Sequence, residues 1–328
     1  MSSLEPLLDY MKGEDWPVRV KDIVRDLWLS KVLVHRYLNY AIEQWLIHKQ
    51  WSVPQVYYFL LDAPATQTMV VLDDAMKNFL DERYLNFDVN GHVLQWVQGF
   101  VKWCEMRWLG VRTAANRYRK LLSHIDGMRN DCGLIPWLKK FTQQLGESSL
   151  DDLFFCDVYQ LQEFGRSSLG NLTFFAKQSQ QKALMKKVIA LTGGKARCLI
   201  DHMKIDAVCF VPWSVKREQQ LMRALEDGWN LDLPLVDVVK LSASWIIVPQ
   251  KSIKGIDQRI RNAKETLFVS RGQKTQRETV LLIDDFVWSW ATMNESARKI
   301  KEFGLAKKII WLALLGNIDM SFEVMSEV

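Results

Sequence analysis

Glycine is scarce in this chain: 16 of 328 residues, about 5%, against an average usage near 7%. Proline is sparse as well, at 8 residues. A collagen-like or Pro/Gly-rich disordered chain is therefore excluded. The five cysteines (Cys104, Cys132, Cys156, Cys198 and Cys209) are odd in number, scattered, and form no CxxC pair. Neither a zinc ribbon nor a disulfide frame is expected from them, and a reducing cytoplasm is the expected compartment. No apolar run is long enough to span a bilayer. The longest aliphatic stretch, Ile309 to Leu315, reads as a buried strand. The first residues, MSSLEPLLDYMKGED, are acidic and lack the apolar core of a signal peptide. A large excess of one charge is also missing: 43 Lys and Arg stand against 38 Asp and Glu. That balance alone argues for no polyanionic partner. What remains is 48% hydrophobic and 25% charged, enough apolar surface for a core. The length suits two or three domains.

The first sixty residues carry an ordered series of signals. Leu4 to Met11 predicts a short helix, and Lys21 to Leu27 a second. Ser30 is a good N-cap for a third, Lys31 to Gln44. In that helix Val34, Leu38, Ala41 and Ile42 fall at helical spacing and predict one buried face. Leu46–Lys49 and Gln55–Leu60 read as two strands joined by a turn. This order resembles a winged helix-turn-helix domain over about fifty residues. The resemblance implies that the third helix enters the DNA major groove. Lys31, Val32, His35 and Arg36 are the residues it would present, with Asn39 beside them. The wing would fall near Lys49 to Gln55. Residues 1–60 hold seven basic and seven acidic residues, so protein docking stands as the competing role for this domain.

Residues 61–150 are mostly helical in pattern and show no motif. A basic cluster within 101–130 includes Arg112, Arg117, Arg119 and Lys120 and reads first as a solvated helix face. From about residue 170 helical segments alternate with short apolar ones. Lys182–Leu191, Arg217–Glu226 and Asn294–Phe303 predict helices, while Ala207–Val211, Val280–Ile283 and Lys308–Leu315 predict strands. Strands alternating with helices imply an α/β fold with a parallel sheet.

The segment from Val280 to Glu295, VLLIDDFVWSWATMNE, carries the chemistry. It sets Asp284 and Asp285 at the carboxyl end of an apolar strand, followed by a loop and a helix. Ligands of open α/β sheets bind at that edge. A loop opening a helix offers free backbone N–H groups and the positive end of the helix dipole, both suited to phosphate. Carboxylates accept hydrogen bonds from ribose hydroxyls, and Ser289 and Thr292 add hydroxyl donors.

This segment resembles the phosphoribosyl pyrophosphate (PRPP) motif of type I phosphoribosyltransferases, of the ComF-like kind. The resemblance covers about residues 170–328. It implies that Asp284 and Asp285 hold the ribose, and that Ser289, Trp290, Ala291 and Thr292 stand in the 5-phosphate loop. It also implies a diphosphate side. Phe210 to Arg217 (FVPWSVKR) resembles the family's pyrophosphate-loop strand end and contributes Ser214, Lys216 and Arg217. Val248 to Ala263, with Lys251, Arg259 and Asn262, resembles a basic stretch of ComF-like members. Mg²⁺ is expected as a passenger of PRPP, with no protein metal cage.

One departure recurs. The family's loop has glycine where this chain has Trp288 and Trp290. Trp28 stands at the turn of the helix-turn-helix, Trp45 after the third helix, Trp51 in the wing and Trp311 in a strand where small residues are common. Two explanations compete in this chain of 14 Trp: a degenerate relative that no longer binds PRPP, or, favoured because these glycine-type positions are filled repeatedly by one residue type, UGA codons that the cell reads as glycine. Activity is expected on the condition that residues 288 and 290 are glycines in the living cell.

The expected architecture is thus a winged helix (1–62), a helical connecting region (63–165) and a phosphoribosyltransferase-like domain (166–328). The expected activity is phosphoribosyl transfer to an unidentified acceptor. A DNA-binding regulator that senses PRPP or nucleotide without catalysis, and a ComF-like scaffold in DNA uptake, are the alternatives. Expected partners are PRPP or a nucleotide, double-stranded DNA and a second copy of the chain; no membrane partner is expected.

Overall fold

The structure, a computed structural model, describes residues 4–14, 17–43, 46–52, 55–60, 72–88, 91–139, 142, 148–212, 217–240, 267–269, 275–287 and 290–317. The chain divides into two compact units. The first is Met1–Ile125 together with Gln160–Ser168. The second is Asp126–Tyr159 with Leu169–Ser326.

The first unit opens with α1 (Glu5–Gly13), α2 (Val20–Leu27) and α3 (Lys31–Glu43), followed by the antiparallel hairpin β1 (Ile47–Ser52) and β2 (Gln55–Leu60). Each start has a local cause. Asp22 accepts the Arg19 backbone N–H ahead of α2, and the Ser30 hydroxyl accepts the Leu33 N–H at the head of α3. Both side chains satisfy donors that a helix start leaves orphaned. Between α1 and α2, Val18 adds itself to the hairpin by exchanging two backbone hydrogen bonds with Tyr58, each 2.9 Å. Val34, Leu38 and Ala41 are fully buried against Leu7, Ile23, Ile47 and Tyr58. Helical spacing thus becomes a packed face, as the sequence indicates.

The turn between α2 and α3 is made by Trp28, whose φ of 54° and ψ of 29° are left-handed. Its side chain is 92% exposed, so no packing offsets that conformation. Trp96 (φ 63°) and Trp108 (φ 57°) repeat the pattern, and both are exposed. A left-handed φ costs an L-residue roughly 1–2 kcal/mol, and glycine nothing. Trp28→Gly is therefore expected to stabilise the chain by up to about 1 kcal/mol after the added freedom of its unfolded state is deducted. Chemical denaturation reads this directly, and a loss of stability would show that the indole has a packing role. Trp311 behaves differently from its expectation as a small-residue site. It is fully buried in a strand of the second unit, so the side chain fills core volume. Trp45 and Trp288 lie outside the described residues. Trp51 and Trp290 are described only as backbone.

The rest of the first unit contains α4 (Asp74–Arg83), a small ladder of β3 (Leu85–Phe87) and β4 (Val93–Gln95), α5 (Trp96–Glu105) and α6 (Val111–Asp126). Its core is aromatic. Phe100, Trp103, Tyr118 and Phe164 meet at ring distances of 5.0 to 6.5 Å. Phe164 comes from a 3-10 turn, Gln162–Phe164. Beside it Glu163 is fully buried and faces Arg117 at 3.7 Å. Burial pushes the Glu163 carboxyl up to about 7, with Arg117 pulling the other way. Arg117, part of the basic cluster read as a solvated face, is thus turned inward.

The second unit is mixed α/β, built on a five-stranded sheet of order β5-β6-β11-β10-β7. The strands are β5 (Ile135–Pro136), β6 (Asp152–Val158), β7 (Ala207–Phe210), β10 (Arg277–Phe286) and β11 (Ala306–Gly316). All pairings are parallel except that of β5. The helices are α7 (Ser168–Ser179), α8 (Lys182–Met203), α9 (Leu221–Trp229) and α10 (Trp290–Glu302). A two-stranded ladder pairs β8 (Val238–Lys240) with β9 (Leu267–Val269). The middle stretches of β10 and β11 are apolar: Val280–Ile283 and Ile309–Leu315 are buried, as strands covered on both faces must be. Asp206 accepts the N–H groups of Glu278 and Thr279, and Asp151 that of Ile309. These bonds fix the amino ends of β10 and β11. At the other edge Gly316 lies so close to the Phe155 ring that a Cβ would stand 2.4 Å from it.

One cysteine expectation is overturned. Cys132 and Cys198 form a disulfide, while Cys104, Cys156 and Cys209 are free and buried. A spacing of 66 residues hides such a pair in the sequence, because the fold alone brings the loop before β5 to α8. Among the described residues no helix is long and apolar enough to cross a membrane.

Candidate functional site

β10 lies between β7 and β11, and its last residues are Asp284, Asp285 and Phe286. Ile283 pairs with Phe210, the end of β7, and Val211 donates its N–H to the Ile283 carbonyl at 2.9 Å. Asp284 pairs with Ala313 of β11. Because these strands are parallel, the chains leaving β7 and β10 emerge side by side at one edge. α10 then begins at Trp290, four residues after the strand ends.

The two carboxylates are not equivalent. Asp284 accepts the Asp285 backbone N–H at 2.7 Å. Asp285 is held by Lys177 of α7, Nζ to Oδ2 2.5 Å. Burial, then the neighbouring Asp285 charge, push the Asp284 carboxyl well above the usual carboxylate range, and Lys177 offsets only part of this. Burial also disfavours the Lys177 ammonium, but the Asp285 ion pair outweighs it and holds the lysine above its ordinary value. A buried carboxyl near another negative charge favours its protonated form. Asp284 is thus the carboxyl driven toward its protonated form, while Asp285 is paired with Lys177.

Of the residues singled out in the sequence, Asp284 and Asp285 come together here, and Arg217 lies on the loop fastened to the end of α7. Arg217 is close enough to Lys177 for its charge to oppose the lysine's protonation. The Arg217 carbonyl accepts from the Gln220 side-chain amide. The next residues are fastened to the end of α7, since Gln219 donates its N–H to the Gln180 side-chain carbonyl at 2.9 Å. The predicted helix from Arg217 begins at Leu221 instead, which leaves Arg217 in the approach loop. Trp290, Ala291 and Thr292 form the first turn of α10, described as backbone. Ser214, Lys216, Lys251, Arg259 and Ser289 lie outside the described residues. In the first unit Lys31, Val32, His35 and Arg36 are all exposed on α3, as is Asn39.

Lys177 is the residue that sequence reasoning missed. It stands more than a hundred positions before its partner, in a helix with no motif. The only local hint is a lysine following the largely apolar stretch Leu172–Ala176.

Among the described residues no three His, Cys, Asp or Glu side chains gather as a metal site. No protein-family model matches the chain, and no curated protein matches it.

Proposed function

We propose that this chain binds the ribose 5-phosphate group of PRPP or of a nucleotide, in keeping with its resemblance to ComF-like type I phosphoribosyltransferases. One observation carries the reading: Asp284 and Asp285 end a strand inside a parallel sheet, beside the chain leaving β7 and ahead of the start of α10. Ligands of open parallel sheets sit at that edge. Asp285 accepts from a ribose hydroxyl, and Asp284 pairs with the other. The first turn of α10 offers N–H groups and a positive dipole end to the 5-phosphate. A diphosphate on the β7 side then lies next to C1 of the sugar.

The reaction this arrangement supports is phosphoribosyl transfer. The bond from C1 to the diphosphate oxygen breaks, and pyrophosphate leaves with the electron pair. A nitrogen nucleophile bonds to C1 and gives up a proton. The protein's part is positioning and the neutralisation of charge on the leaving group. The donor set is two carboxylates, one already paired with Lys177. That suits a Mg²⁺ ion that arrives on the diphosphate and keeps its waters.

Calorimetric titration with Mg²⁺-PRPP tests the reading, in the chain as isolated and in Trp288→Gly/Trp290→Gly. Saturable binding of PRPP, with weaker binding of ribose 5-phosphate, is the expected result in the glycine form. No affinity there for PRPP or any nucleoside monophosphate would end the proposal.

A second reading is favoured by the first unit. Its order of helix, bridging strand, helix, tight turn, helix and hairpin resembles a winged helix, and α3 leaves Lys31, Val32, His35 and Arg36 exposed together. On this reading the protein is a DNA-binding regulator that senses PRPP. DNA retention that responds to PRPP, with no pyrophosphate released, would favour it over transfer.

A further inference from the structure

We infer that Lys177 is a positioning residue of the ribose site: it fixes Asp285 as the accepting carboxylate and, with Arg217, forms the cationic wall that receives the diphosphate of PRPP. This rests on the ribose-phosphate reading and adds to it a residue outside the acidic-pair motif.

The argument starts from placement. Lys177 lies in the last turn of α7, and that end of the helix is tied to the loop after β7 through Gln180 and Gln219. The lysine therefore reaches the end of β10 from the side on which the β7 chain departs. Its ammonium meets Asp285 Oδ2 at 2.5 Å, with the lysine side chain 30% and the aspartate side chain 14% exposed. An ammonium has three donors, and the Asp285 oxygen takes one. When a ribose hydroxyl hydrogen-bonds to Asp285, the carboxylate divides its negative charge between sugar and lysine. The lysine's other two donors can then turn to a further anion.

The second step is charge. Arg217 lies two residues before Gln219, whose N–H bond to Gln180 holds this loop against the end of α7 that carries Lys177. Two cations on adjoining segments are unfavourable when empty and favourable around a polyanion. A diphosphate meets that requirement and lies on this side if the sugar is held by the acidic pair. Ribose 5-phosphate has no group there. Lys177 therefore separates PRPP from ribose 5-phosphate more than it governs sugar binding as such.

The test compares Mg²⁺-PRPP with ribose 5-phosphate on the full chain, in whichever form (as isolated or Trp288→Gly/Trp290→Gly) binds PRPP. Lys177→Met is expected to weaken PRPP by about tenfold or more, as loss of one charge-assisted hydrogen bond implies, and ribose 5-phosphate by much less. Lys177→Arg should recover most of the PRPP affinity, and Arg217→Gln should lower the same ratio without touching α7. An equal loss for both ligands, or no rescue by arginine, would reduce Lys177 to a structural prop and overturn the inference. Should Lys177→Met fail to fold, the Arg217→Gln ratio together with Lys177→Arg decides it. Should neither form of the chain bind either ligand, the parent reading fails and this inference falls with it. Binding of both ligands with an unchanged ratio in the variants sinks the Lys177 role alone.

Discussion

Asp284→Asn is expected to raise the melting temperature of the protein and at the same time to weaken PRPP. The carboxyl of Asp284 is enclosed beside a second acid, and burial together with the Asp285 charge raise it well above the ordinary carboxylate range. A raised acid takes up a proton on folding. Its stabilising effect is complete below the unfolded carboxylate value and is eroded as pH climbs from there through the raised folded value. At neutral pH the native chain therefore carries an unfavourable interaction that asparagine removes. Asparagine keeps an oxygen for the Asp285 N–H and the same volume. A gain of about 1–2 kcal/mol is the usual scale for relieving a functional site, or a few degrees in a unit of this size. The variant should also flatten the fall in stability between mildly acidic and neutral pH. Loss of the carboxyl that hydrogen-bonds a ribose hydroxyl should cost PRPP about tenfold in affinity. Scanning fluorimetry against pH and calorimetry with PRPP read the two effects. A variant that is less stable, or that binds PRPP as before, would mean that the acid is structural.

The largest stability effect should come from the Cys132–Cys198 disulfide. It closes a chain segment of 66 residues. By loop-closure entropy such a link is worth about 4 kcal/mol. Reduction, or Cys198→Ser, should therefore lower the melting temperature of the second unit by roughly 10 °C. The link also supports a polar network beside it. Arg129 donates to the Gly133 and Cys156 carbonyls and pairs with Asp126 and Asp157, and Lys195 donates to Cys156. Thermal melts with and without a thiol reductant check the expectation. The buried Cys104, Cys156 and Cys209 should leave Cys198→Ser insensitive to reductant. An unmodified chain whose melt ignores reductant would show that the disulfide contributes little.

Legibility in the sequence followed locality. β10 and its acids could be read because an apolar run, two carboxylates and a helix signal lie within sixteen residues. α3 could be read because Ser30 and the spacing of Val34, Leu38 and Ala41 agree. β6 was passed over. Its core, Leu153 to Cys156, is only four residues long and is framed by Asp151, Asp152 and Asp157, so it lacks the uninterrupted run of its neighbours. Those acids serve the strand in three dimensions: Asp151 caps Ile309 and Asp157 anchors Arg129. Lys177, the disulfide and the inward turn of Arg117 toward Glu163 were invisible for one reason. Each depends on partners brought together by tertiary packing across 40 to more than 100 positions, where neither periodicity nor composition carries a signal.

The first unit is assembled from two separated stretches of chain, Met1–Ile125 and Gln160–Ser168. The short one supplies Glu163 and Phe164 to its interior. A gene cut once, anywhere, therefore yields no fragment encoding that unit whole without part of the other. An expressed 1–125 fragment would display bare aromatic rings at the vacancy and aggregate unless the nine-residue strip were supplied as a peptide or grafted on through a linker. The same geometry makes the unit a poor cassette for recombination: a single breakpoint cannot exchange it, and the two units are bound to be inherited together.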